Sequence, residues 1–360
     1  MHYRINNLIK EMTKNTDSFQ EYIDDNPSYI LNAYFEEHKN NDFNLSRMHF
    51  LLKKQDKIQK LIFDEAKNIC HFNQKVIGIK GCFLENRYYK KRDEKRFYDD
   101  IDVVISSTNA YEFYLYLISN DYKIIKDKHL FYNNKFIFKL LKSKYMKMVH
   151  CVDLEKEFYI DKKKYVLYVD LHSDLNVGLD THLNMTDLLN NSNKDQEENI
   201  DNENIGEYEF SSIDYVSYLI IHMIKHLPYV NYYNTELSID IQKIYDIFLI
   251  IEEHNIKLYD LEEYFNDINS LHYYVFFLKL YVDIFIQSDV NFSELIKKCK
   301  LKWRNILEKI VEMPVYKIML GDYSNNIPII NKAYTICKRF SNQNIKVIIW
   351  KYHLRKIFSK

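Results

Sequence analysis

Glycine and proline are scarce, with only 5 Gly and 4 Pro among 360 residues. Each remaining glycine is therefore expected where the backbone needs it. Cysteine is equally uninformative as scaffolding. The five, at positions 70, 82, 151, 299 and 337, are odd in number and form no CxxC. That pattern argues against a disulfide framework or a zinc ribbon and suits free thiols in a reducing compartment. Charge of one sign is missing too: 50 Lys+Arg against 51 Asp+Glu leaves a net charge of -1. A protein that grips long nucleic acid carries a basic excess, so no long nucleic acid is expected as a partner. The apolar run Tyr273 to Ile286, interrupted by Lys279 and Asp283, is shorter than the ~20 residues of a spanning helix. The N-terminus has no apolar core of a secretory leader. These absences give the expectation of a cytoplasmic protein with no membrane span. Two motifs are also lacking: no GxxxxGK[ST] occurs anywhere, and Met223 stands where a zinc-hydrolase HExxH would carry Glu.

What is present is a change of periodicity along the chain. From Met48 to Ile69 apolar residues recur at helical spacing. Val76, Ile77 and Ile79 then form a short strand-like run that ends at Lys80-Gly81. Further strands are expected at Ile101–Ile105, 122–125, 130–132, 136–141, 148–154 and 165–172, with helices over 82–91 and 110–119 between them. Residues 184–208 are polar and acidic and read as a loop or linker. From Ser211 the helical period returns, over 214–225, 239–254 and 271–287. The chain therefore divides into an N-terminal helical segment (1–74), a mixed strand–helix core (75–182), a polar flexible linker (183–210) and a C-terminal helical domain (211–360). Strands mixed with helices make the core α+β.

The sharpest local signal is Asp99-Asp100-Ile101-Asp102-Val103-Val104-Ile105. Alternate strand residues share a face, so Asp100 and Asp102 point one way while Ile101 and Val103 point into the core. Two adjacent carboxylates at the mouth of an apolar strand are costly unless a cation neutralises them. Oxygen ligands select Mg²⁺ or Mn²⁺ over zinc. The competing reading is an acidic strand cap facing solvent. Upstream, Gly78 and Gly81 flank Lys80 at a strand end, a turn that brings backbone N–H groups and a lysine toward phosphate; the alternative is a tight turn with a surface lysine. Downstream, Tyr165–His172 alternates as a strand with Asp170 and His172 on one face. Asp170 there suits a third carboxylate of a two-metal site, with His172 in support; the alternative for Asp170 is a salt bridge. His222 and His226 share a helix face beside Lys225, either at the rim of an active site or as packed histidines.

Lys80-Gly81, Leu84, Tyr88 or Tyr89, Arg96 and Asp100-Ile101-Asp102, in that order, resemble the KG…L…Y…R…DID signature of the uncharacterised bacterial nucleotidyltransferase family. That family sits in the polymerase-beta-type superfamily. Val169-Asp170-Leu171-His172, the HxxxH helix at His222 and His226, and Asp246 in KIYDIFLII are similar to its later elements, so the resemblance runs over roughly 75–260. It implies a polymerase-beta-like core with flanking helices and an NTP such as ATP as co-substrate. It implies that Asp100, Asp102 and Asp170 hold Mg²⁺ or Mn²⁺. Lys80, Gly81 and Arg96 would then lie near the triphosphate, with His172, His222 and His226 in supporting contact. The acceptor it implies is a small molecule or peptide, as in natural-product or antibiotic modification. The basic run Arg87–Arg96 leaves an RNA acceptor open. The superfamily at large has Gly-Ser or Gly-Gly where this chain has Lys80-Gly81, a departure at the phosphate loop. Two rivals stand beside this reading. One is a catalytically inactive nucleotide- or partner-binding module of the same fold; the other is a metal-dependent phosphohydrolase built on Asp170, His172 and the HxxxH helix. The C-terminal segment Cys337–Lys360, with seven Lys/Arg and no acid, reads as a basic amphipathic helix lying on its own domain; the alternative is a helix that docks an acidic partner, RNA or a membrane surface.

Overall fold

The computed structural model describes residues 2–38, 42–72, 75–106, 108–124, 151–172, 183, 185–194, 205, 208–225, 238–286 and 289–321. Helices α1 (His2–Met12), α2 (Thr16–Asp25), α3 (Tyr29–His38) and α4 (Ser46–Cys70) come first. Strand β1 (Val76–Gly78) leads into α5 (Gly81–Leu84), which widens into a π turn over Glu85–Tyr89 and tightens to 3-10 geometry at Lys90–Arg92. Then come β2 (Asp100–Ile105), α6 (Ala110–Ser119), β3 (Lys123–Ile124), β4 (Cys151–Ile160) and β5 (Lys163–His172). The five strands form one mixed sheet in the order β1-β2-β5-β4-β3. β2 and β5 run parallel at its centre, while every other pair is antiparallel. The α+β expectation therefore holds. The strands expected at 130–132 and 136–141, and the basic C-terminal helix, lie outside the described residues.

One face of the sheet is oily for a reason visible strand by strand. Ile101, Val103 and Ile105 of β2 and Leu167, Val169 and Leu171 of β5 are buried together with Leu154 of β4. Against them pack α4, through Ile58, Ile62, Ala66 and Ile69, and α6, through Ala110, Phe113, Tyr114 and Leu117. Spacings of three and four put each helical set on one stripe. Each fully buried side chain of this kind contributes about 1.5–3 kcal/mol. The alternate residues of β2 and β5 face the other way, which leaves that second face for polar chemistry. β4 and β5 are joined by a two-residue turn, Asp161 and Lys162, both with positive φ (49° and 63°). That geometry matches the right-handed twist of the strands it joins.

Part of the stretch expected as a linker is ordered. Met185–Asn191 forms α7, because Met185, Leu188 and Leu189 fall at helical spacing and are buried. Two short strands, β6 (Asn193–Lys194) and β7 (Tyr208–Glu209), then pair antiparallel. The remaining helices are α8 (Ser212–Lys225), α9 (Ile241–Glu253), α10 (Leu258–Asp267), α11 (Leu271–Tyr281, with a π turn over Val282–Ile286), α12 (Phe292–Lys298), α13 (Leu301–Glu312) and α14 (Val315–Leu320).

The chain folds as two compact units. One comprises Ile23–Tyr218 and Tyr245–Asn269 and holds the sheet. The other comprises Met1–Tyr22, Leu219–Ile244 and Ser270–Lys360. Within this second unit Tyr22 is a hub: its hydroxyl donates to Ile239 O at 3.0 Å and accepts from Ile241 N at 2.8 Å. α11 is buried nearly all round, the signature of a central helix, and its His272 stacks on Trp303 at 4.4 Å. Among the described residues no helix is long and apolar enough to cross a membrane.

Candidate metal and nucleotide site

The parallel pairing of β2 and β5 decides what the polar face presents. Asp102 lies opposite Asp170, Val104 opposite His172, and Asp100 opposite Tyr168. Because Ile101, Val103, Val169 and Leu171 fill the core, strand alternation sends Asp100, Asp102, Asp170 and His172 to the other face. Donor atoms of Asp102, Asp170 and His172 all lie within 4.8 Å of one another, close enough to share one ion. His172 Nε2 is 2.8 Å from Asp102 Oδ1, and both residues are only 2% exposed. The expected convergence of carboxylates from two strands is thus present. The histidine joins them as a neighbour hydrogen-bonded to the central aspartate.

The turn after β1 brings a cation to the same atom. Ile79 N donates to Asp102 O at 3.1 Å, and Tyr215 of α8 donates to Ile79 O at 2.8 Å, so the backbone entering the turn is pinned on both sides. Lys80 follows in extended geometry and Gly81 turns the chain with φ +52°. A Cβ at Gly81 would be strained by that φ and would sit 3.3 Å from Asp100 O. A Cβ at Gly78 would fall 2.1 Å from the Phe83 ring. Both glycines are therefore required, as their scarcity suggests. The result is Lys80 Nζ 2.5 Å from Asp102 Oδ1, the oxygen already bonded to His172.

The charges respond to this crowding. Burial, then the neighbouring Asp102 and Asp170, push the Asp100 carboxyl well above the usual carboxylate range despite Lys80. Burial also opposes ionisation of Asp102, but Lys80 and the His172 hydrogen bond outweigh it and hold its carboxyl below that range. Lys80 in turn loses solvation on burial, yet Asp102, Asp100 and Asp170 raise its affinity for its proton. Three carboxylates thus share one ammonium. Like charges this close favour a further cation, and the carboxylates of Asp102 and Asp170 with the His172 imidazole could hold a metal ion.

Arg96 is placed differently. Its Nε and Nη2 form a two-point pair with Asp246 of α9, at 2.9 and 2.8 Å, and the two residues are 8% and 3% exposed. Tyr89 OH adds a 2.7 Å bond to the same carboxylate. Around it Glu85 accepts from Tyr98 OH at 2.6 Å and from Gln59 at 2.7 Å, while Gln55 brackets the backbone of Arg96 and Tyr98 at 2.8 Å each. This network fixes the loop that delivers Asp100. Sequence reasoning quoted Asp246 but did not pair it with Arg96, and it passed over Gln55 and Glu85. The available signal was a charged residue inside apolar helices, which must find a partner.

Four more of the basic run are matched by acids: Arg87 by Glu209, Lys91 by Glu253, Arg92 by Glu252 and Lys95 by Asp56; Lys90 Nζ lies over the Phe63 ring, 4.9 Å from its centroid. His222 is buried on α8 in the second unit. His226, and the side chain of Lys225, lie outside the described residues. No curated protein and no solved structure matches the chain. A family model does, over residues 60–285, a stretch that runs from α4 through the glycine turn, both carboxylate strands and Asp246 to the end of α11 and its π turn. By that match over more than half its length, the chain belongs to the family of uncharacterised nucleotidyltransferases.

Proposed function

We propose that the protein is a polymerase-beta-type nucleotidyltransferase that moves an NMP from an NTP such as ATP to a hydroxyl or amine of a small-molecule or peptide acceptor. The observation that supports this most is the register of Asp102 against Asp170, with Asp100 one alternate residue away on the same strand face. Asp100, Asp102 and Asp170 would hold Mg²⁺ or Mn²⁺. When bound, the ion supplies Lewis acidity at the α-phosphate and charge for the departing pyrophosphate. The chain does the rest. His172 orients Asp102 by hydrogen bonding. Lys80 offers its ammonium to a triphosphate oxygen, and the Cβ-free Gly81 lets phosphate approach the backbone. The acceptor oxygen or nitrogen bonds to the α-phosphorus as the bond to the β-phosphate bridge breaks, and its proton passes to a carboxylate of the group. Arg96 holds the Asp100 loop against Asp246 and would lie near the triphosphate.

The test is Asp100→Asn, Asp102→Asn and the double variant, assayed for pyrophosphate release with Mg-NTP across hydroxyl and amine acceptors. The expected loss is on the order of 10²–10³-fold or more, the scale for removing a group that stabilises charge in a transition state, with circular dichroism unchanged. Undiminished turnover in the double variant would sink the assignment. Tight Mg-NTP binding with no pyrophosphate release under any acceptor would favour the inactive binding module. Hydrolysis without acceptor, hit harder by His226→Ala than by Asp102→Asn, would favour the phosphohydrolase.

A further inference from the structure

The placement of Lys80 raises a question that the reaction alone does not answer. In a nucleotide-binding turn the lysine is expected to face outward, toward phosphate. Here its side chain is 18% exposed and its Nζ lies 2.5 Å from the most buried carboxylate of the group, itself 3% exposed. Nothing about this conformation is loose. The residue before it is tied to β2 through Ile79 N and Asp102 O, and to α8 through Tyr215 and Ile79 O. The residue after it is a glycine whose positive φ aims the chain back over β2. The Lys80 and His172 contacts with the Asp102 side chain both fall on Oδ1. The ammonium therefore sits among the same carboxylates that would hold a divalent ion.

We infer that Lys80 is a resident counter-cation, which occupies the charge position of the divalent ion until a triphosphate draws its ammonium away. This rests on reading the site as one for metal and NTP, and it adds an order of events. With Lys80 on Asp102, a divalent ion entering alone meets a positive charge a few ångströms away and a carboxylate group already partly neutralised. A triphosphate, which carries several negative charges, gives Lys80 a second partner and frees Asp102 for the ion. Metal and nucleotide then bind with positive coupling, and the coupling is reciprocal. The same contact keeps a buried carboxylate from standing unpaired in the empty enzyme, a state that is otherwise strongly destabilising.

The experiment needs neither acceptor nor turnover. Mn²⁺ binding to the full chain is measured by calorimetry or electron paramagnetic resonance without nucleotide, in the wild type and in Lys80→Met, Lys80→Arg and Lys80→Met/Asp102→Asn. Lys80→Met should bind Mn²⁺ at least about tenfold more tightly than the wild type, since removing one close positive charge at an effective dielectric near 20 is worth that much or more. Lys80→Arg should stay near wild type, and the double variant should lose the gain. Mn²⁺ should also raise the melting temperature of Lys80→Met more than that of the wild type. Equal or weaker binding by Lys80→Met would overturn the inference, as would a gain that survives Asp102→Asn. If Lys80→Met fails to fold without metal, refolding on Mn²⁺ titration reads the same affinity, and Lys80→Gln serves as the second neutral variant; failure of both at saturating Mn²⁺ would also overturn it. The nucleotidyltransferase reading fails separately, on pyrophosphate release, so the two outcomes are distinguishable.

Discussion

Arg96 shows how a residue can be legible by position while its protein partner is not. Its place in the ordered motif is visible in sequence, and a cation just ahead of paired aspartates invites a phosphate contact. Burial shows its company: at 8% exposure its guanidinium donates to both oxygens of Asp246 and to the Phe97 carbonyl. Removing one partner of such a pair costs more than removing both, because the survivor is left charged in a dry environment. Arg96→Ala should therefore destabilise the protein by about 3–5 kcal/mol in urea unfolding. The double change Arg96→Met/Asp246→Leu should cost markedly less. A near-zero cost for Arg96→Ala would show that water reaches the pair. The shared face of Asp100 and Asp102 was legible, since strand alternation is local information. Their company was not: the imidazole on Asp102 and the ammonium on the same oxygen depend on β5 and on the glycine turn, which only the folded register brings alongside.

Strands and helices of strong period were the legible elements. α4, α6, α8 and β2 lie close to where apolar spacing puts them, because each buries a continuous stripe or face. The β4–β5 hairpin was half seen. Both strands are expected in part, over 148–154 and 165–172, but the turn between them is not, because Asp161-Lys162 lacks the glycine that normally marks a two-residue hairpin. Both residues nonetheless adopt positive φ, at a cost of roughly 1–2 kcal/mol for a side chain such as lysine. Lys162→Gly should relieve part of that, offset by glycine's greater entropy loss, for a net gain of about 0.5–1 kcal/mol. The readout is the urea midpoint; an unchanged or lowered midpoint would mean that the lysine side chain contributes more than its backbone costs. Met185–Asn191 was missed for the opposite reason, as three buried residues in seven are too few to stand out beside a long acidic tract.

At the scale of the molecule, aromatic and thiol burial sets the response to alkali. Burial pushes the Cys70 thiol up from 9.0 to about 12 and Cys299 to about 11. It also raises Tyr22, Tyr89 and Tyr215 well above their ordinary value of 10.0. A folded-state value above the unfolded one means stability that is complete below the unfolded value and is lost as pH climbs toward the folded one. Denaturation midpoints should therefore hold to about pH 9 and fall between about 9 and 12. Peptide mapping after brief alkylation at pH 7.5 should find Cys70, Cys82 and Cys299 unmodified in the native protein. Fast labelling of Cys82, buried beside the glycine turn, would contradict the packing described. Which distant segments pack together could not be read from period at all. The sheet-bearing unit takes in Tyr245–Asn269 from far along the chain, and no local pattern announces such an exchange.

The Arg96–Asp246 pair joins residues 150 positions apart, and this has a consequence for synthesis. A ribosome makes the strand bearing Asp100 and Asp102 long before it makes the helix that locks the preceding loop. Until residue 246 emerges, the nascent sheet carries a guanidinium without its carboxylate partner, and the loop has only Gln55 and Glu85 to hold it. An excised fragment ending at the last strand of the sheet would be caught permanently in that half-made condition, with the acidic pair present but its footing incomplete.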